Sequence, residues 1–421
     1  MNGEKGKRGV KMIRKLLFIK GGVKMIRKLL FIMIVSALLF PLTVGGQSIA
    51  GAAEPIKIGF LAPYVGVFTK FGSDLRDGFQ LCLEENGYKV AGREILFVNE
   101  DTEGKPEVGL TKARKLIEKD QVHILAGIIS SGVAYALRDY VVSKEVPLII
   151  CCAGASKLTQ ENRSPFIFRA SFANGQQDLA GGWYAYAKLG ARKVILMGAD
   201  YAAGHEKGGG FMKAFKFMGG EAVEEIWVPL GTTDYAPYLA KVANIVGKAD
   251  ILWNFFPGSD GIRFINQCDE YGLKEKIKLF CEEGTTEEAN LPSQKDAALG
   301  VESYARWSFS YDSQENQRFV KEYQERFNYD PGGLSESGYD GAKAIVKALE
   351  AVGGNIEDQG AFLKALKSVK FEAPRGPFRF DEHQNVIFNT FIQRVEKRHG
   401  KYNNYVLYII PDVDQYWMPK K

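Results

Sequence analysis

From Ile56 onward the chain alternates short, wholly apolar runs with longer stretches in which apolar residues recur every three or four positions. Short runs bounded by turn formers read as buried strands, and the longer periodic stretches as amphipathic helices. Ile56-Lys57-Ile58-Gly59-Phe60-Leu61 predicts a strand. Phe71–Asn86 predicts a helix with Leu75, Phe79 and Leu83 on one face and Gly87 at its end. Strands are expected at Glu94–Asn99, His123–Ile129 and Pro147–Cys152, with helices at Pro106–Lys119 and Gly132–Lys144 between them. Such alternation implies a parallel sheet with helices on both faces. The same grammar restarts after Phe168. Helices at Gln177–Leu189, Gly208–Met218, Tyr235–Val246 and Gly261–Tyr271 interleave with strands at Lys193–Gly198, Glu221–Val228, Ile251–Phe256 and Ile277–Cys281. The tail differs: three helices in a row (Asn316–Phe327, Ser337–Val352, Gln359–Ser368), then strand-like runs at Val386–Arg394 and Tyr405–Ile410. The fold class is α/β, with two doubly wound parallel-sheet lobes in succession. No Gly/Ser-rich or Pro-rich tether separates them, so short crossings join them.

Composition adds a compartment. The 421 residues, 46% hydrophobic and 25% charged, suit two globular domains and a targeting segment. The net charge of +5 resides in the leader, where ten Lys and Arg face the single acid Glu4 before Glu54. The remainder is mildly acidic and gives no electrostatic reason to expect nucleic acid. Arg27-Lys28, the apolar run Leu29–Phe40, Pro41 and the small residues Ala50-Gly51-Ala52-Ala53 follow the order of a signal peptide, and the run is short for a membrane span. Residues 1–53 are expected to be removed by cleavage near residues 52–54, leaving a periplasmic protein with no lipid-bearing cysteine. The string GVKMIRKLLFI occurs at Gly9–Ile19 and again at Gly22–Ile32, which leaves the start open between Met1 and Met25. Five irregularly spaced cysteines without CxxC, and histidines scattered at 123, 205, 383 and 399, offer no metal site and no cofactor. Export permits one disulfide, Cys268 with Cys281; the alternative is five buried thiols.

Candidate chemistry lies at the carboxyl ends of the strands, where open α/β sheets bind ligands. The strand through Gly127 runs into Ser130-Ser131-Gly132 and a helix, whose N-terminal N–H groups suit an anion. Either serine could instead serve only as a cap. The next strand ends in Ala153-Gly154-Ala155-Ser156, a second small, N–H-rich turn. Together the two turns would cradle a carboxylate. Phe71, Tyr201 and the pair Phe255-Phe256 stand near other strand ends and could wall a pocket against water. Glu283, in Glu282-Glu283-Gly284-Thr285, could meet a ligand ammonium or be a solvated loop acid. No phosphate-loop or dinucleotide fingerprint occurs, and no G-x-S-x-G or Ser, His and Asp grouping suggests a hydrolase. No catalytic residue is assigned.

The chain resembles the branched-chain amino-acid-binding protein family of ABC transporters, type I periplasmic binding proteins. The resemblance rests on Ile56–Pro63, the Gly127–Gly132 and Ala153–Thr159 turns, Phe168-Arg169, Asp200-Tyr201-Ala202-Ala203-Gly204 and Gly376–Asp381. It implies a flytrap of two lobes joined by three hinge crossings. Residues 54–172 and 304–375 would form lobe one, and residues 173–303 and 376–421 lobe two. It places Ser131 and Ala153–Ser156 at the ligand α-carboxylate. Tyr201 or Ala203, with Phe256, would wall the pocket from lobe two, Phe71 would cover it from lobe one, and Glu283 would face the α-ammonium. Gly154 and Ala155 stand where the family often carries Thr, and Ala203 where it often carries an aromatic, which implies a roomier pocket. The function implied is capture of a carboxylate-bearing solute, an amino acid in the first instance, by a monomer that delivers it to an inner-membrane permease. An aromatic carboxylate, an amide or urea as ligand, or a sensory role, is the alternative.

Overall fold

The computed structural model describes residues 54–420; the expected signal peptide and its cleavage point lie outside them. Lobe one is built on β1 (Ile56–Ala62), β2 (Lys89–Val90), β3 (Arg93–Asp101), β4 (Ile124–Gly127), β5 (Leu148–Ile150) and β6 (Ile167–Arg169), in the order β2-β3-β1-β4-β5-β6. All its pairings are parallel except the β2–β3 hairpin. The alternation of side chains along β1 explains the two-sided burial. Ile56, Ile58 and Phe60 enter one core with α1 (Thr69–Glu85), while Leu61 enters another with α2 (Pro106–Arg114) and α3 (Ser131–Ser143).

After α4 (Gln176–Ala187), lobe two repeats the plan. Its strands are β7 (Lys193–Asp200), β8 (Glu221–Pro229), β9 (Ile251–Phe255), β10 (Lys278–Glu282) and β11 (Glu302–Ala305). Its helices include α5 (Ala202–Met218), α6 (Ala236–Ala243) and α7 (Ser259–Glu270). The parallel order β8-β7-β9-β10-β11 sends Ile195 and Met197 to one core and Val194 and Leu196 to the other. Cys268 and Cys281 are unbonded, buried thiols in or beside the first of these, so the structure holds no disulfide between them.

The chain then returns to lobe one as α8 (Gln314–Phe327), α9 (Gly333–Ala351) and α10 (Gln359–Lys367), which pack on the core around α1. It continues as the hairpin β12 (Lys370–Ala373) and β13 (Gly376–Phe380), then β14 (Val386–Arg398) and β15 (Lys401–Val413). Phe378, Phe380 and Phe388 pack with lobe one, whereas Ile392 and Val395 pack with lobe two, where β14 pairs antiparallel with β11. β12 and β13 nevertheless extend the lobe-two sheet through β14, so the segment after Ala373 joins the two lobes. Buried arginines knot the crossings. Arg375 binds Glu336 and Asp340 of α9 at 2.6 and 2.9 Å and donates to the Ser171 carbonyl at 3.0 Å. Breaking such a buried network costs several kcal/mol, on the order of 3–5. No helix among the described residues is long and apolar enough to cross a membrane.

Candidate functional site

Between the lobes lies a narrow cavity of about 50 Å³. Lobe one supplies Phe68, Phe71, Ile129, Ser131, Cys152, Gly154 and Leu334. Lobe two supplies Tyr201, Ala203, Lys207, Phe255, Glu282, Glu283 and Glu287; the crossings supply Phe172, Asn174 and Arg306.

On the lobe-one side, β4 delivers the chain to the start of α3. Ser130 is the helix N-cap residue but makes no side-chain capping bond and does not line the cavity. Ser131, at the first helical position, does line it. Its Oγ accepts from the Asn174 side-chain amide at 3.1 Å. The second turn is pinned from behind. Arg169 of β6 donates to the Gly154 and Ala155 carbonyls at 2.9 and 2.8 Å, and the Asn174 N–H reaches the Gly154 carbonyl at 2.7 Å. Gly154 lines the cavity, whereas Ala153 and Ala155 are buried in the core on the far face of the sheet. The Ser156 N–H is spent on Glu206 at 3.1 Å. So of the expected carboxylate cradle, the structure brings Ser131 and Gly154 to the cavity and turns Ser130, Ala153, Ala155 and Ser156 elsewhere.

The walls are aromatic. Tyr201, immediately before α5, stacks on Phe255 (6.1 Å, 23°) and lies 6.4 Å from Phe68 of the other lobe. Burial pushes its hydroxyl well above the ordinary tyrosine range, so it stays a neutral group. Ala203 is at the wall as expected. Phe256 is not. It packs edge-on against Tyr235 at 5.2 Å, and also against Phe264, inside the lobe-two core, while Phe255 takes the wall. The expected strand end was one residue late, and a one-residue shift exchanges the two faces of a strand.

Charge is confined to buried pairs. Lys207 of α5 pairs with Glu282, which also accepts from the Gln177 amide at 2.6 Å and the Gly284 N–H at 2.7 Å. Glu283 pairs with the Arg306 guanidinium and accepts the Arg306 N–H at 3.0 Å. Both cations lie over the Phe172 ring, Lys207 at 4.2 Å and Arg306 at 4.8 Å. Glu287 accepts the Leu334 N–H at the start of α9 at 3.3 Å. Burial, with Glu288 beside it, pushes Glu287 well above the usual carboxylate range. Burial also pushes the Cys152 thiol up to about 11. Sequence reasoning missed Lys207, Arg306, Asn174 and Phe172. The last three lie in crossings with no periodicity, and Lys207 stands beside Gly208-Gly209-Gly210, which reads as packing rather than chemistry.

A family model described as periplasmic binding protein matches residues 55–401. The Leu/Ile/Val-binding protein homolog 6 of Brucella melitensis is 31% identical over 84% of this chain and 91% of its own length. An ABC transporter substrate-binding protein from Sphaerobacter thermophilus superposes with a TM-score of 0.82 at 40% identity, covering 86% of this chain and 99% of that one. A solute-binding protein of an ABC transporter from Rhodopseudomonas palustris BisB5, solved with 3,4-dihydroxybenzoic acid, gives 0.81 at 33% identity over the same shares.

Proposed function

Because the chain belongs to the periplasmic binding protein family, we propose that the solute it captures for an ABC transporter is a carboxylate on an aromatic ring. The observation that carries this reading is that each carboxylate lining the cavity already has a partner from the chain. Glu282 has Lys207, Gln177 and Gly284; Glu283 has Arg306; Glu287 has the start of α9. None offers an α-ammonium an uncompensated negative charge: Glu282 and Glu283 are paired with cations, and burial raises Glu287 toward its neutral form. An unpaired charge taken into such a site carries a desolvation cost that nothing returns. Donors, by contrast, are in surplus. Ser131 lines the space with a hydroxyl whose proton is free of Asn174, and Lys207 has N–H groups beyond its bond to Glu282. An anion fits the first set and the rings of Phe71, Phe172, Tyr201 and Phe255 fit a flat apolar body. The Rhodopseudomonas relative with its dihydroxybenzoate supports the same class. The chain does no chemistry on its ligand in this reading; it closes on it as a monomer and hands it to the permease.

A branched-chain amino acid is the second reading, favoured by Glu283 standing in the wall and by the Brucella relative. Calorimetry with benzoate, hydroxybenzoates, leucine and valine separates the two. Binding of the aromatic acids, weakened by Ser131→Ala, is expected. Saturable leucine or valine binding with inert aromatic acids, abolished by Glu283→Ala, would overturn the proposal.

A further inference from the structure

Glu206 of α5 lies outside the cavity but reaches across the cleft. Its carboxylate accepts from three donors: the Tyr135 hydroxyl on α3, the Ser156 N–H of lobe one at 3.1 Å, and the Asn174 side-chain amide at 2.9 Å. A backbone N–H can only donate, so the Oε2 that receives Ser156 is an acceptor, and Asn174 must present its NH₂ group to that oxygen. The same NH₂ donates to Ser131 Oγ at 3.1 Å. Ser131 is thereby fixed as an acceptor from Asn174, and its own proton is left for the cavity. The chain of constraint runs Glu206, Asn174, Ser131. Its first member belongs to lobe two and its last to lobe one.

We propose that Glu206 and Asn174 are positioning residues that couple ligand capture to lobe closure, Glu206 latching the lobes and Asn174 aiming the Ser131 hydroxyl at the ligand once the latch has formed. Opening the cleft withdraws Glu206, frees the Asn174 amide to rotate and removes the bias on Ser131. The closed form therefore binds an anion better than the open form does, and the ligand in turn holds the latch. The Ser131 half of this rests on the ligand site proposed above; the Glu206 half does not.

The test uses full-length mature protein, benzoate as probe, and stopped-flow binding to wild type, Glu206→Ala, Ser131→Ala and the double variant. Glu206→Ala is expected to raise the dissociation rate about tenfold or more, as loss of charge-assisted hydrogen bonds implies, with little change in the association rate. The double variant is expected to lose less than the sum of the two single losses, because part of the Glu206 effect runs through Asn174 to the Ser131 hydroxyl. Additive losses, or an unchanged dissociation rate, would overturn the coupling. Glu206→Gln is the milder variant should the alanine fail to fold; it is expected to show the same non-additivity. A second arm needs no ligand: spin labels on Asp139→Cys and Lys213→Cys report the interlobe distance. Removal of Glu206 or substitution Tyr135→Phe is expected to lower the closed fraction. Identical distance distributions would overturn the latch whatever the ligand is, whereas a wild type that binds no benzoate would refute only the substrate class.

Discussion

Gly154 shows how a single residue can carry a constraint that its neighbours impose. Its place in a small turn at a strand end is legible in the sequence, and so is the absence of the family's Thr. The reason is not legible. A Cβ added at Gly154 would lie 2.0 Å from Asn174 Oδ1 and 2.8 Å from the Asn174 backbone nitrogen. Asn174 is twenty positions away in an aperiodic crossing, and its amide is held by Ser131 and Glu206. The space the sequence suggests is spare is therefore filled by Asn174. Gly154→Ala is expected to push Asn174 out, costing about 1–3 kcal/mol as overpacking does and weakening ligand binding along with stability. Urea unfolding and calorimetry on the variant check both; unchanged affinity would mean that Asn174 does not aim Ser131. Glu283 teaches the complementary lesson. Its position at the mouth of a strand marks it as a site residue, but only the fold brings Arg306 against it, and that partner changes what ligand it favours.

At the scale of elements, the apolar runs predict most strands of both sheets and the tail's three helices. The failures are short or polar pieces. β6 has three residues including the buried Arg169, and β11 is Glu302-Ser303-Tyr304-Ala305; neither carries a periodic signal strong enough to compete with loop. Their partners, β5 and β10 or β14, make them strands. The return of the tail to lobe one has a local cause in two glycines. A Cβ on Gly78 of α1 would lie 1.8 Å from the Ser335 carbonyl oxygen, and one on Gly338 of α9 would lie 2.0 Å from that of Leu75. The two helices thus meet backbone to backbone, and neither oxygen can yield without moving its helix. Gly338→Ala is expected to destabilise by about 1–3 kcal/mol. Gly209 of α5 is exposed with open space around it, so Gly209→Ala should stabilise by up to about 1 kcal/mol through helix propensity alone. Denaturant midpoints that move in the same direction for both variants would contradict this account of the α1–α9 contact.

Across the whole molecule, buried acids in the loop after β10 and on α4 set the response to pH. Burial pushes Glu288 up to about 7, although Asn404 donates to it at 3.0 Å, and burial raises Asp178 to about 7, against the nearby Lys207. Both ordinary values lie near 4. Between pH ~4 and ~7 the unfolded chain therefore releases protons that the folded chain keeps. Stability must then fall as pH rises through that window and level off above it. Glu357 works in the other direction: the Arg93 guanidinium holds it down to about 2, so its contribution is complete above pH ~4.5 and is lost as pH falls toward 2. It lies on the surface, and solvent screening keeps that contribution small. The maximum of stability is expected near pH 4–5. Glu288→Gln keeps an acceptor for Asn404 without an ionisable proton, and should be more stable than wild type at pH 8 by at least about 1 kcal/mol while matching it near pH 4.5. Urea unfolding of both proteins across pH 4–8 reads this directly. A wild-type stability that climbs from pH 5 to 8, or a variant curve parallel to it, would show that Glu288 is charged in the folded protein and that the loop after β10 is solvated.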